Sequence, residues 1–203
     1  VALARVDYAA IKRDPLWSKT VAELAQFAPS QLSSKTERLA FYSNAYNILA
    51  IKMVLDHWPL QSIKDAGSLF TQVWNIDVGK IGGKTVTLNE VEHEIMRPMG
   101  DPRMHMAIVC ASVSCPDLRS EPYVAERLDA QFDEQVVKFL NNSGKGLRQR
   151  DGDIEVSKIF GWFEEDFAVA GGVENFIRRY RNDLPRNADI EADIDYDWSL
   201  NGF

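Results

Sequence analysis

The chain has 203 residues, 45% hydrophobic and 26% charged, which is an average composition for a globular protein and favours one domain. Its 30 acidic and 23 basic residues give a formal charge of −7, which repels phosphate backbones and predicts no nucleic-acid partner. No apolar run approaches the roughly 20 residues of a membrane-spanning helix, so we expect no transmembrane segment. The chain begins at Val1 without a signal-peptide pattern, as a mature or trimmed chain would.

The first 34 residues are predicted to form an N-terminal helical arm, and residues 35–203 a single globular domain. Ser34 and Glu37 fit a capping box, and the apolar run over residues 39–58 predicts a long helix that Pro59 stops. This helix is apolar nearly all round, which is typical of a helix inside a core. It nevertheless carries Asn44 and Asn47 on one stripe. These amides either pin neighbouring loops or orient a site residue or ligand.

Residues 73–86 predict a hairpin around Gly79 and the Gly82-Gly83 pair. Thr87 and Glu90 then form a second capping box on a short helix. This helix is unusually polar, because Glu92 borders its apolar stripe and His93 and Arg97 share another face.

Residues 104–111 are the best candidate for a central strand, and they run into a loop that contains Ser112, Ser114 and Cys115. Further predicted elements are a helix over 121–140, a short strand over 153–158, and helices over 159–167 and 173–181. The aromatic tail is expected to dock on the body. The predicted fold class is α+β, a helix-rich single domain packed around a small, mostly antiparallel sheet.

The strongest candidate for chemistry is Cys110, at the end of the predicted strand, set against the polar helix. A catalytic thiolate needs a base and donors for an oxyanion. His93 is the preferred base, since strand alternation would point His105 and Cys110 to opposite faces unless a bulge intervenes. Glu92 or Asn44 would orient the base, and Ser112 and Ser114 would line the oxyanion region.

The competing interpretations remain open at this level. A strand cysteine is usually a small hydrophobe, and a helical histidine is often scaffold. Cys110 and Cys115 are the only cysteines, so the sequence has no second cysteine pair to complete a zinc site. The spacing of the histidines matches no compact metal-ligand motif. We therefore expect no metal and no cofactor, with a metal-dependent enzyme as the weakest alternative.

Several motifs in order resemble the domain-of-unknown-function family 547. They are residues 41–47 (FYSNAYN), 88–97 (LNEVEHEIMR), 103–110 (RMHMAIVC) with 114–116 (SCP), 162–167 (WFEEDF) and 196–201 (YDWSLN). The resemblance covers roughly residues 35–203. It implies no established activity, but bacterial members commonly look like exported proteins, so a periplasmic or secreted location is expected.

The family pattern centres on residues that match Asn44, Asn47, Glu92, His93, Arg97, His105 and Cys110. This chain departs from it at Ala111, where a Gly often follows the cysteine, and at Met106, where an aromatic is usual. Other members lack the thiol that matches Cys115, so the resemblance favours Cys110 as the nucleophile.

Two functional hypotheses follow. The first is a thiol-dependent hydrolase or acyltransferase that acts on a small-molecule or peptide-like substrate, with Cys110, His93, Glu92 and His105 as catalytic candidates. Its binding candidates are Asn44, Asn47, Arg97, Ser112 and Ser114. The second is a non-catalytic binding or scaffold module with a buried polar network and no cavity that reaches Cys110. The oligomeric state is left open.

Overall fold

A computed structural model describes residues 4–68, 71–150 and 152–203. Six α-helices lie in these parts of the chain, together with shorter 3₁₀ segments and one π-helix, Glu90–Met96. The α-helices are α1 (Tyr8–Arg13), α2 (Pro15–Gln26), α3 (Lys35–Asp56), α4 (Leu128–Leu140), α5 (Lys158–Trp162) and α6 (Val173–Tyr180). None of the helices in these described parts has the length and apolar character that crossing a membrane requires.

The described strands form two small sheets. Strands β1 (Asp77–Ile81) and β2 (Lys84–Thr87) make an antiparallel hairpin, as the glycine pattern predicts. Strands β3 (Leu147–Arg150) and β4 (Asp153–Ser157) are antiparallel, and β5 (Ile190–Ile194) joins β4 in parallel. The predicted α+β class is confirmed, with the strand content divided between an antiparallel sheet and a mixed one.

Helix α3 runs through the larger of two hydrophobic cores. Its start is fixed by the capping box, in which the Ser34 hydroxyl accepts from the Glu37 N–H while the Glu37 carboxylate accepts from the Ser34 N–H. Its buried residues fall on nearly every side, from Leu39 to Leu55. The caps and the apolar run therefore predict this helix correctly, because both are local properties of the chain.

The strand prediction for residues 104–111 is wrong. Residues Pro102–Met106 form a 3₁₀ helix, and the chain then continues to Cys110 as irregular backbone. Side chains replace the hydrogen bonds that a neighbouring strand would supply, since Gln135 donates to the Met106 carbonyl and Asn47 bonds the next two peptide units. Strand alternation consequently does not apply, and nothing forces His105 and Cys110 to opposite sides.

The two asparagines of α3 make the same kind of hydrogen bonds to the backbone of two different segments. The Asn47 amide donates to the Ala107 carbonyl at 3.0 Å and accepts from the Val109 N–H at 2.8 Å. Asn44 makes the same pair of bonds, at 2.8 and 2.9 Å, with the backbone of Tyr123. Both amides therefore hold loops against the central helix.

Asn47→Leu is expected to lower the free energy of unfolding by about 2 kcal/mol, because it leaves the buried Val109 N–H without an acceptor. Asn44→Leu is the matched control, and its cost should be nearer about 1 kcal/mol because Asn44 is only half-buried and water can replace the amide. Urea unfolding monitored by circular dichroism measures both. A larger loss for Asn44→Leu would contradict this ranking.

Two further helix predictions differ in their bounds. The predicted helix over 121–140 is α4 preceded by a 3₁₀ turn, Ala125–Arg127, and the helix over 159–167 is divided into α5 and a 3₁₀ helix, Glu164–Ala170. The C-terminal tail docks on the body as expected. Its Asn201 N–H donates to the Ala111 carbonyl at 2.9 Å, and the Val113 N–H donates to the Ser199 carbonyl at 2.8 Å. The tail therefore lies along the loop that contains both cysteines.

Candidate functional site

A cleft of about 400 Å³ opens between the π-helix, the segment that ends at Cys110, helix α5 and the C-terminal tail. One part of its wall is aromatic, with Trp74, Trp162, Phe163 and Trp198 among the lining residues. The other part is polar or reactive, and is formed by Tyr46, Asn89, Glu92, His93, His105, Cys110, Cys115 and Tyr196. This cleft is the candidate site.

The π-helix supplies two of the polar lining residues, Glu92 and His93, and Asn89, the residue before it, supplies a third. Thr87 and Glu90 cap it as the sequence predicts, with reciprocal bonds of 2.8 and 3.0 Å. Its end is π-helical, since the Arg97 N–H donates to the Glu92 carbonyl five residues earlier. A π-helix is rare and is frequently found at functional sites, and the spacing of the apolar residues does not predict its wider turn.

Glu92 places a carboxyl group in the inner wall of the cleft. Its Oε2 accepts a hydrogen bond of 3.2 Å from the Tyr46 hydroxyl, and its Oε1 lies 4.0 Å from His105 Nδ1. Burial raises the pKa of Glu92 to about 7, although the Tyr46 hydroxyl and the Arg97 charge act in the opposite direction. The group therefore exchanges its proton near neutral pH.

Asp166 does not line the cleft itself, but it joins Arg97 to His105, which does. It accepts two bonds from the Arg97 guanidinium, at 2.7 and 3.1 Å, and one of 2.7 Å from His105 Nε2. Burial opposes ionisation of Asp166, but these bonds outweigh it and lower its pKa to about 2. Asp166 is consequently an anion that fixes both partners.

The two histidines are held neutral. Arg97 Nη1 lies 2.7 Å from His93 Nδ1, and because a guanidinium can only donate, that nitrogen accepts and the proton is on Nε2. Burial, followed by the Arg97 charge, lowers the pKa of His93. Burial also lowers the pKa of His105, against the effect of Asp166. Because the His105 Nε2–H donates to the Asp166 carboxylate, the lone pair of the neutral ring is on Nδ1, the nitrogen that faces Glu92.

Cys110 and Cys115 are joined by a disulfide, with their Cα atoms 6.2 Å apart. The Cys110 sulfur lies 3.3 Å from both the Ser112 and the Tyr196 hydroxyl oxygens. Ala111, between the cysteines, has a φ of 60°, a left-handed conformation that costs a non-glycine residue about 1 kcal/mol or more. This explains physically why a Gly suits the position better.

The predicted catalytic candidates and the predicted binding candidates occupy different places. Cys110, His93, Glu92 and His105 all border the cleft. Asn44 and Asn47 bond backbone, Arg97 bonds Asp166 and His93, and Ser114 accepts from the Asp197 N–H. Ser112 is buried beside the disulfide. None of these five lines the cleft.

Asp166 and Tyr196 are site residues that sequence reasoning did not single out. Both lie inside the motifs that carry the family resemblance, WFEEDF and YDWSLN, and that is the signal that could have found them. Their partners are far away in the chain, however, and no local spacing relates Asp166 to His105 or Tyr196 to Cys115. Among the residues described by the structure, no group of three or more His, Cys, Asp or Glu side chains could hold a metal ion.

The chain is therefore an α+β domain with a partly polar cleft beside a π-helix. The family model described as "Protein of unknown function, DUF547" matches residues 29–140, more than half of the chain. The chain belongs to the DUF547 family. No curated protein and no solved structure matches it.

Proposed function

We propose that this protein is a thiol-dependent hydrolase or acyltransferase in which Cys110, once reduced, is the nucleophile. The observation that carries the proposal is that one cleft is bordered by Cys110, Glu92, His93 and His105. A cysteine nucleophile requires a neighbouring base, and the cleft offers two neutral imidazoles and a carboxyl group that titrates near neutrality.

In this proposal the Cys110 thiolate attacks an acyl carbon and a thioester forms. Glu92, protonated below its pKa of about 7, gives its proton to the leaving group. Water or an acceptor nucleophile then attacks the thioester, its proton returns to Glu92, and Cys110 is released as a thiolate. The hydrogen bond from His105 to Asp166 would keep the His105 proton on Nε2, so that the lone pair on Nδ1 faces Glu92.

The alternative of a non-catalytic binding or scaffold module accounts for part of the network. Asn44 and Asn47 hydrogen-bond backbone groups, and Arg97 hydrogen-bonds Asp166 and His93, in the direction that this hypothesis expects. It also expects no cavity that reaches Cys110, and the cleft argues against it on that point. A periplasmic or secreted location is part of the proposal, and a disulfide fits such an oxidising compartment.

Ester hydrolysis by a matched pair of cysteine variants tests the proposal. Cys115→Ser frees the Cys110 thiol without a reductant, whereas Cys110→Ser frees only the buried Cys115. We expect wild type to hydrolyse 4-nitrophenyl acetate only after reduction, Cys115→Ser to hydrolyse it without reduction, and Cys110→Ser to fall to background, a loss of about 10²-fold or more. Intact mass spectrometry should find an acetyl group on Cys110 in a quenched reaction.

Equal hydrolysis by the two variants, or acetylation at other residues only, would overturn the thiol mechanism. Glu92→Gln separates the acid–base role from the nucleophile. It should remove the ionisation near pH 7 from the pH dependence of deacylation while Cys110 still accepts the acetyl group.

A further inference from the structure

The two cysteines of the disulfide differ in exposure. Both border the cleft, but Cys110 is half-buried whereas Cys115 is only 2% exposed. Thiol–disulfide exchange requires a thiolate to reach one sulfur and displace the other. A thiol that enters the cleft therefore meets the Cys110 sulfur first, and Cys115 is the leaving group.

Three groups that can donate a hydrogen bond lie around the Cys115 sulfur. The Cys110 N–H points at it from 3.0 Å, the Ser112 hydroxyl lies 3.3 Å away, and the Tyr196 hydroxyl lies 3.2 Å away. The two hydroxyls lie 3.1 Å from each other and are also 3.3 Å from the Cys110 sulfur, so the backbone N–H is the donor that Cys115 alone receives. Burial raises the pKa of Tyr196, so its hydroxyl keeps the proton that it donates. Donors of this kind stabilise a thiolate, and a more stable leaving thiolate departs faster.

We propose that Cys110–Cys115 is a redox-active disulfide, and that Cys110 forms a mixed disulfide with a low-molecular-weight thiol in the cleft. In the first step the thiolate RS⁻ attacks the Cys110 sulfur, the bond between the cysteines breaks, and Cys115 leaves with the electron pair. In the second step another RS⁻ attacks the bound sulfur of RS–Cys110 and releases RSSR. The protein disulfide is reduced by two electrons, and two thiols are oxidised to one disulfide.

The dimensions of the cleft favour a small thiol over a protein thiol. The space is about 400 Å³, and aromatic rings border it, including Trp162 and Trp198, which stack with their centroids 5.7 Å apart. The Cys110 sulfur lies in the wall beside the half-buried Tyr196. A cysteine on the surface of a folded protein would have to enter this space to reach it.

Trapping of the intermediate tests the proposal. The oxidised protein is mixed with reduced glutathione, quenched with N-ethylmaleimide and mapped by peptide mass spectrometry. We expect glutathione on Cys110 and maleimide on Cys115. In Cys115→Ser, oxidised glutathione should give a stable adduct on Cys110, and in Cys110→Ser the buried Cys115 should react at least about tenfold more slowly.

The hydroxyl donors are tested by rates of reduction. Tyr196→Phe should slow reduction by glutathione about three- to tenfold, because the leaving thiolate loses one hydrogen bond. Tyr180→Phe is the matched control, since its hydroxyl bonds Asp133 at 2.6 Å, and it should leave the rate unchanged. Reduced thioredoxin should react more slowly with the folded protein than with the urea-unfolded protein.

Several results would overturn the proposal. They are glutathione predominantly on Cys115, a glutathione reaction with the folded protein that is no faster than with the protein unfolded in urea, or equal slowing by the two tyrosine variants. A faster reaction of thioredoxin than of glutathione would also reject the small thiol. The thiol exchange does not depend on the proposed acyl chemistry. Ester hydrolysis is measured on Cys115→Ser, which has no disulfide, whereas the exchange is measured on the oxidised wild-type protein, so either proposal can fail without the other.

Discussion

Lys145→Met is expected to lower the free energy of unfolding by about 3–5 kcal/mol, because it leaves a buried carboxylate without its buried partner. Lys145 Nζ lies 2.7 Å from Asp117 Oδ1, with the two side chains 5% and 6% exposed. The same ammonium donates at 3.3 Å to the Val113 carbonyl, which lies between the two cysteines. The change therefore removes a buried ion pair and a support of the disulfide loop together.

Lys138→Met is the matched control, because Lys138 contacts the other oxygen of the same carboxylate at 3.3 Å with its side chain 51% exposed. An exposed pair contributes little, so its loss should cost less than about 1 kcal/mol. Urea unfolding of the oxidised variants measures both. Equal losses for the two lysines would show that burial does not set the strength of the pair.

Glu92→Gln is expected to raise the free energy of unfolding by about 3 kcal/mol at pH 8 and by less than about 1 kcal/mol at pH 5. The pKa of Glu92 is about 7 in the folded protein against 4.5 for an ordinary glutamate. Between these values the folded chain binds more protons than the unfolded chain, so Glu92 makes stability fall as the pH rises. Glutamine mimics the protonated acid and keeps an acceptor for the Tyr46 hydroxyl, which removes that loss.

Glu94→Gln changes the same charge at an exposed position of the same π-helix. Its effect on the free energy of unfolding should remain within about 0.5 kcal/mol at both pH values. The measurement is a series of urea unfolding curves from pH 5 to pH 8, compared variant by variant with wild type. A Glu92→Gln difference that does not change with pH would contradict the raised pKa.

Much of the secondary structure is a local property of this chain. The Ser34 and Thr87 capping boxes fix where two helices begin, and the glycines after β1 fix the hairpin. Residues 104–111 mislead, because an apolar run is equally consistent with a strand or with irregular backbone that other side chains satisfy. Here Asn47 and Gln135 supply those bonds, from about 60 and about 30 positions away.

The residues of the candidate site can also be recognised from the sequence, whereas their arrangement cannot. The chemically notable residues, namely Cys110, Glu92, His93 and His105, can be recognised from the pattern, since reactive or polar groups on apolar elements are unusual. That they share one cleft, that Asp166 orders the histidines, and that the two cysteines are bonded to each other beside the Tyr196 hydroxyl depends on the folded chain. Helix caps and turns depend on neighbours a few residues apart, whereas pKa values and reactivity depend on burial and on groups that folding brings together from as far as 86 residues away in the chain.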